Sequence, residues 1–322
     1  MKYLTYDDIA LVPNFSEIKS RSECATNCVL GYDNFNLPVI PANMKCVIDT
    51  KVAHYLSENN YFYVMHRFCD NLSFVKEAQK WETISISVGV KSEDRKLIKN
   101  IFDQNLDVDY ITIDIAHGHS LHMAEMITYI RNLLGNDVFI IAGNVCTSAG
   151  YIDLAKWGAN AVKVGIGQGA ACTTKLKTGF TMPMFTCIQN IKKTKDNLVD
   201  LQDFGYSLNA PAIIADGGIK HNGDIAKALV AGADWVMAGG LFAKCSDSPA
   251  DTTANGEKVY FGSASAENKG EHKHVEGKKM MLSTDMTYAE KLKEIKEDLQ
   301  SAISYAGGTS IEQLQSTSYI EV

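Results

Sequence analysis

Eight short apolar runs, rich in β-branched residues, recur along the chain: Leu37–Ile40, Tyr61–Met65, Ile84–Val90, Tyr110–Ile115, Val138–Ala142, Ala161–Val164, Ala212–Ala215 and Trp235–Ala238. Amphipathic segments fill most of the gaps, among them Lys51–Asn59, Asp94–Gln104, Leu121–Leu134, Ser148–Trp157 and Asp224–Val230. Strands that alternate with helices run parallel, because each helix carries the chain back across the sheet before the next strand begins. Eight such units close on themselves, so the pattern predicts a (β/α)8 TIM barrel of the α/β class. The runs are nearly continuous in apolar character, as expected of strands covered on both faces. Two units echo each other, LAKWGANAVKVGIG (154–167) and ALVAGADWVMAGG (228–240): each ends a helix at a glycine and enters a strand that finishes in glycines.

A length of 322 residues suits one barrel with extensions, and 46% apolar residues supply a large core. The chain therefore reads as one catalytic domain over 1–322. Residues 1–36 form an N-terminal extension covering one barrel end, 241–286 a polar flap with the composition of a mobile lid, and 287–322 a C-terminal helix and tail. Thr287 is placed to N-cap that helix, over 287–304. No stretch nears the roughly 18 consecutive apolar residues of a membrane span. The opening MKYLTYDDIALVPN has acidic residues where a signal peptide needs an apolar region, so a cytoplasmic protein is expected. A net charge of −7 argues against a nucleic-acid partner. Lysines cluster at 273–279 and 292–296, but interleaved glutamates make these solvated surface. The eight cysteines lack C-x-x-C spacing and read as reduced thiols.

In such barrels the functional residues sit just beyond the strand C-termini. Here those ends read PANM (41–44), MHRF (65–68), DIAHG (114–118), AGN (142–144), GIGQGAACTTK (165–175), ADGG (215–218) and AGG (238–240). The glycines after the seventh and eighth runs suit a phosphate cradle, since glycine lets a phosphate oxygen approach the main chain; tight turns are the plainer alternative. Cys172 lies in the loop after the sixth run, followed by two threonines. A single cysteine is usually inert and buried, but one in a loop at the functional face is a candidate nucleophile. HGHSLH supplies His117, His119 and His122, and HKH supplies His272 and His274. A metal-dependent hydrolase would need ligands on several other strands, where only Asp114, Asp216 and His66 stand.

The run GIGQGAACTTK resembles the G-I-G-P-G-x-x-C-T-T-[RK] loop of the IMP dehydrogenase and GMP reductase family. SRSE (20–23), PANM, ITIDIAHGHS (111–120), IAGNV (141–145), IIADGG (213–218), YFGSAS (260–265), VEGKKM (275–280) and SYAGGT (304–309) resemble that family in the same order. The resemblance implies a barrel, usually a homotetramer, that binds a purine 5′-monophosphate and a nicotinamide cofactor. The dehydrogenase branch inserts a regulatory domain pair after the second strand, and here only about fifteen residues connect the second and third runs, in keeping with short barrel connections. That branch also activates water with an arginine–tyrosine pair on the flap, whereas the four arginines here (21, 67, 95 and 131) all precede it. Glu276 in VEGKK matches the reductase glutamate.

What the resemblance implies is NADPH-dependent reductive deamination of GMP to IMP and ammonia. Cys172 would be the nucleophile of a covalent thioimidate, with Thr174 and Glu276 as a proton relay. Asp216 would hold the ribose, Gly217, Gly218, Gly239 and Gly240 the phosphate, and Ser263, Ala264, Ser265, Lys273 and Gly277 the base. Arg67, Asp114, Ala116, His117 and Gly165 would lie on the nicotinamide side. Ser20, Arg21, Tyr305, Ala306, Gly307 and Gly308 would reach the cofactor of a neighbouring subunit. Carbonyls of Gly167, Gly169 and Cys172 would hold a monovalent cation, K+. Two positions depart from the family pattern: Gln168 replaces a proline, which should loosen the loop, and Ala170 replaces a serine, which removes a phosphate hydrogen bond of about 1 kcal/mol. The stretch 192–210 reads as a divergent surface connection. The alternatives are oxidation of IMP to XMP, a metal-dependent barrel hydrolase, and a catalytically silent purine-nucleotide-binding barrel.

Overall fold

The computed structural model describes residues 2–203, 210–265 and 275–322. Seven of the eight apolar runs form strands: β1 (Val39–Pro41), β2 (Ser85–Val88), β3 (Tyr110–Asp114), β4 (Phe139–Val145), β5 (Ala161–Val164), β6 (Ala212–Asp216) and β7 (Trp235–Ala238). They pair in parallel in the order β1-β7-β6-β5-β4-β3-β2. The first strand thus neighbours the last, as happens when a sheet curls round into a barrel. The remaining run, 61–65, flanks β2 through a single parallel bridge between Met65 and Ile86, with the Met65 amide 3.1 Å from the Ser85 carbonyl. The α/β barrel architecture expected from the alternation is therefore present.

The crossover helices fall close to their predicted spans. They are α1 (Thr50–Glu58), α2 (Asn71–Ala78), α3 (Ser92–Asp103), α4 (Leu121–Leu134), α5 (Ser148–Trp157), α6 (Met184–Asp203) and α7 (Asn222–Ala231). Asp49 and Thr147 accept from backbone amides at the starts of α1 and α5, supplying acceptors that the first helical turn lacks. The two echoing units stop α5 and α7 at Gly158 (φ 104°) and Gly232 (φ 110°), in the left-handed region that glycine enters without a side-chain clash. α6 corrects one expectation: 192–203 continue a helix because Ile188, Ile191 and Leu198 recur along one buried stripe. The rest of the predicted surface connection, 204–209, lies outside the described residues.

Inside the barrel, period-two alternation aims every second strand residue inward. At the N-terminal end this layer is apolar: Phe62, Tyr110, Ile141, Ala161, Ile214 and Trp235 cluster with Leu30 and Phe35. Leu30 and Phe35 belong to a hairpin (Cys28–Leu30 against Asp33–Phe35) that plugs this mouth. Phe35 packs 5.3 Å from Phe62 and 5.8 Å from Trp235 between ring centroids, and Tyr110 Oη donates to the Leu30 carbonyl at 2.7 Å. One step further along the strands, Thr112, Lys163, Asp114 and Asp216 replace the rings. The interior turns polar toward the C-terminal ends.

The segment read as a polar lid carries more order than its composition suggested. β8 (Glu257–Phe261) and β9 (Lys279–Ser283) form an antiparallel ribbon, with Val259 opposite Met281 and Tyr260 opposite Met280. Val259, Tyr260 and Phe261 are buried against the barrel. The apolar residues here are few, but pairing brings them side by side. α8 (Tyr288–Tyr305) starts at Thr287, whose side chain accepts from the Glu290 amide, and buries Leu292, Ile295, Leu299 and Ile303. Among the described residues no helix is long and apolar enough to cross a membrane.

Candidate active site

A cavity of about 710 Å³ opens at the C-terminal ends of the strands. Gly165–Cys172 after β5 form one wall, Asp216–Ile219 after β6 and Ala238–Gly240 after β7 another. Tyr260, Gly262, Ser263, Ala264 and Glu276 from the ribbon roof it.

Cys172 stands at the turn into a short helix, Thr174–Thr178, and is partly accessible. Its amide donates to the Gly169 carbonyl at 3.0 Å, which folds the glycine loop back and presents the thiol. Cys172 Sγ donates to Thr174 Oγ1 at 3.2 Å, and Thr174 Oγ1 donates to Glu276 Oε2 at 2.5 Å. The ribbon is fastened here by main-chain bonds: Thr173 N to Glu276 O at 2.7 Å and Lys278 N to Ala171 O at 2.8 Å. A thiol, a hydroxyl and a carboxylate thus form one continuous hydrogen-bonded chain, joined across 102 residues of sequence by pairing between loop and flap. Burial pushes the thiols of Cys46 and Cys69 up to about 11 and those of Cys187 and Cys245 up to about 12, above the ordinary thiol value.

The glycines of the proposed phosphate cradle are closely packed. Gly217 and Gly218 have φ of 109° and 83°, open to glycine but strained for other residues. A Cβ on Gly217 would lie 3.1 Å from the Gly169 amide nitrogen, so these glycines abut the loop that carries Cys172. One on Gly239 would lie 2.5 Å from Tyr260 Oη. At position 168, where the family pattern has proline, Gln168 Nε2 donates to Thr181 Oγ1 at 2.7 Å, and Thr181 Oγ1 donates to the Ile166 carbonyl at 2.9 Å. That tie supplies a restraint where loss of the proline suggested loosening.

The cavity floor carries an ionic cluster. Lys163, fully buried on β5, places Nζ 2.9 Å from Asp114 Oδ1, 3.2 Å from Asp216 Oδ2 and 3.4 Å from Asn43 Oδ1. Asn43 Nδ2 donates to Asp114 Oδ2 at 2.9 Å, and Asn144 Nδ2 to Asp216 Oδ2 at 2.8 Å. Burial by itself would lower the Lys163 pKa, but Asp114 and then Asp216 outweigh it and hold the ammonium above its ordinary value. Burial likewise opposes ionisation of Asp114, yet Lys163 and Asn43 keep its carboxyl below the usual range.

Of the sequence-predicted residues, the cavity brings together Cys172, Thr174, Glu276, Asp216, Gly217, Gly218, Gly239, Gly240, Ser263, Ala264, Arg67, Asp114, Ala116, Gly165, Gly167 and Gly169. Ser265 and Gly277 sit behind its wall: Ser265 is fully buried, and Gly277 bridges to Cys172 across the ribbon. His117 is exposed beside the mouth, its ring 6.4 Å from that of His119. Lys273, His272 and His274 lie outside the described residues. Ser20, Arg21 and Tyr305–Gly308 do not line the cavity; the Arg21 guanidinium lies 5.6 Å from the exposed Tyr305 ring centroid, while Ala306 and Gly308 are buried. Two histidines of the metal reading turn to helical partners, His119 to Asp153 at 2.8 Å and His122 to Glu125 at 3.6 Å.

Sequence reasoning missed Asn43, Met44, Lys91, Asn144, Lys163 and Tyr260, all of which line the cavity. Asn43 and Asn144 stood inside strand-end motifs without an assigned role. The signal for Lys163 was a lone lysine in an otherwise apolar strand, two residues after the inward-facing Ala161.

Comparison with known proteins agrees with this geometry. The family model described as "IMP dehydrogenase / GMP reductase domain" matches residues 3–322. The chain is 46% identical over 320 residues to the GMP reductase of Mesoplasma florum, covering 98% of this chain and 96% of that one. It is 44% identical over 328 residues to the GMP reductase of Staphylococcus carnosus, covering 100% and 97%. With the GMP reductase of Bacillus cereus the identity is 45% over 323 residues, covering 98% and 95%.

Proposed function

The chain belongs to the IMP dehydrogenase / GMP reductase family, and from that premise we propose that it is an oxidoreductase converting GMP and NADPH to IMP, ammonia and NADP+. The observation that carries the reading is the Cys172–Thr174–Glu276 chain at the cavity wall. Similarity to named GMP reductases supports the reaction; the cofactor preference and the covalent course are inferred from the residues.

As thiolate, Cys172 attacks C2 of the purine and forms a C–S bond. The thiol proton passes through the Thr174 hydroxyl to Glu276, which returns it by the same path to the 2-amino group, and only the protonated amine departs. Loss of ammonia leaves a thioimidate on Cys172. A nicotinamide cofactor bound beside this carbon would supply the hydride that C2 takes up. The C–S bond then breaks, the electron pair returns to sulfur, and IMP leaves. Covalent capture splits one difficult substitution into two easier steps.

Asp216 accepts the ribose hydroxyls, the main chain of Gly217, Gly218, Gly239 and Gly240 takes the phosphate, and Ser263 and Ala264 flank the base. Ser265 and Gly277 brace that pocket, and Lys273 would serve the base. Arg67 and Lys91 place two cations on the cavity side nearest Asp114, a donor set that fits a phosphate-bearing nicotinamide cofactor. Ala116, His117 and Gly165 border the same side. In a homotetramer, Ser20, Arg21 and Tyr305–Gly308 would meet the cofactor of a neighbouring subunit. Carbonyls of Gly167, Gly169 and Cys172 would hold K+; Gly169 retains a lone pair for it, having spent one on the Cys172 amide. We place this chemistry in the cytoplasm, on a single catalytic unit spanning the whole chain. Oxidation of IMP would need a base on the flap, which carries no arginine.

The test is to mix the protein with GMP and NADPH and follow the reduced-cofactor absorbance together with ammonia. Equal loss of NADPH and gain of ammonia is expected. Reduction of NAD+ in the presence of IMP, without NADPH consumption by GMP, would overturn the assignment.

A further inference from the structure

We propose that Lys163 is a positioning residue that orients Asp216 toward the nucleotide ribose and locks it to Asp114 on the cofactor side. This rests on the reading of Asp216 as the ribose acceptor. An ammonium has three protons, and Lys163 faces three acceptors, on three different segments of the barrel. Asn43 follows β1, Asp114 ends β3 and Asp216 ends β6, so one side chain reaches across the interior from β5 and joins all three.

The two carboxylates are held differently. Asp114 has both oxygens occupied, Oδ1 by Lys163 and Oδ2 by Asn43. Asp216 takes Lys163 and Asn144 on the same oxygen, Oδ2. Among the described residues its Oδ1 receives no hydrogen bond, and Asp216 lines the cavity. Fixing one oxygen with two donors sets the plane of the carboxylate and offers the other to a vicinal diol. Without the ammonium, two partly buried carboxylates would share the barrel interior with only the Asn43 and Asn144 amides between them, and one would take up a proton or rotate away. The packing allows little drift: a Cβ on Gly165 would lie 2.2 Å from the Asp216 carbonyl oxygen, and one on Gly143 would lie 2.5 Å from Lys163 Cβ. Asp216 and Lys163 are thus gripped through glycines on both flanks, and their relative placement is a property of the sheet.

The experiment compares the parent protein with Lys163→Met, using GMP and 2′-deoxy-GMP as paired substrates. The parent should favour GMP. In Lys163→Met the KM for GMP should rise about 10- to 100-fold, as for loss of a charge-assisted hydrogen bond, with a smaller change in kcat. The KM for 2′-deoxy-GMP should move far less, so discrimination between the two collapses. A general loss of structure would weaken both substrates alike and leave their ratio unchanged. An unchanged ratio therefore overturns the assignment, as does an unchanged KM for GMP. If Lys163→Met does not fold, Lys163→Met/Asp114→Asn keeps the cluster's net charge and is compared with Asp114→Asn alone; the same collapse supports the assignment and its absence overturns it. A parent protein inert toward GMP would instead remove the functional reading itself.

Discussion

Replacing Thr174 by valine isolates the proton relay from every other feature of the site. Valine keeps the branched Cβ and nearly the same volume, so neither a cavity nor a clash results. What disappears is one hydroxyl, and with it the 3.2 Å bond from Cys172 Sγ and the 2.5 Å bond to Glu276 Oε2. Glu276 is only half-buried, so water can replace its lost partner, and folding stability should fall by about 1 kcal/mol or less. The barrier should suffer much more. A positioned acid accelerates a proton transfer by roughly 10²–10⁴-fold. Loss of the conduit between Glu276 and the leaving amine should lower kcat by about 10²–10³-fold, or about 3–4 kcal/mol of barrier. The KM for GMP should stay within a few-fold, because no ribose or phosphate contact is touched. Initial rates of NADPH loss give kcat, and ammonia measured in the first turnover reports the deaminating half-reaction. Glu276→Gln should show a similar defect, and the double variant should be little worse than either single one, since both cut the same path. A Thr174→Val protein with kcat within threefold of the parent would refute the relay.

Cys172→Ala should bind GMP with near-parent affinity in calorimetry yet show no turnover; retained turnover would exclude a covalent course. Gly239→Ala places a methyl 2.5 Å from Tyr260 Oη, so the ribbon must shift, and the KM for GMP should rise at least tenfold with little change in kcat; an unchanged KM would place the phosphate elsewhere. Asp285 is held down to about 2 by the Met286 amide and then by Lys291 and Lys244, so its folded-state pKa lies below the unfolded value. Its contribution to stability is complete above about pH 4 and fades as pH falls toward 2. The melting-temperature gap between the parent and Asp285→Asn should be constant near neutrality and shrink over that acid window. A gap independent of pH would show the ion pairs at Asp285 to be idle.

Much of the scaffold was legible before any coordinates. Leu121–Leu134 and Ser148–Trp157 form helices with the predicted bounds, because apolar residues recur there at helical spacing and Thr147 and Gly158 mark the ends of the second. Cys172, Asp216 and the paired glycines were readable because they stand where strands end, and barrels gather strand ends on one face. The pairing within the flap was not legible, for a definite reason. Tyr260 and Phe261 are buried by pairing with a strand about twenty residues further on, and local composition carries no record of that pairing. The helix through 192–203 was overlooked because charged residues dominate it, although Ile191 and Leu198 keep a buried stripe.

The alternation of runs and segments, carried in the chain itself, determined that parallel strands would bring the loops after them to one rim, because backbone hydrogen bonding and burial of apolar faces allow few other arrangements. The order of residues likewise set Thr174 two positions from Cys172. Only the tertiary structure brought Glu276 within hydrogen-bond distance of Thr174 and set Lys163 between Asp114 and Asp216. Those contacts join residues far apart in the chain, and side-chain direction and enclosure, which no linear spacing encodes, govern whether such charges meet or lie apart.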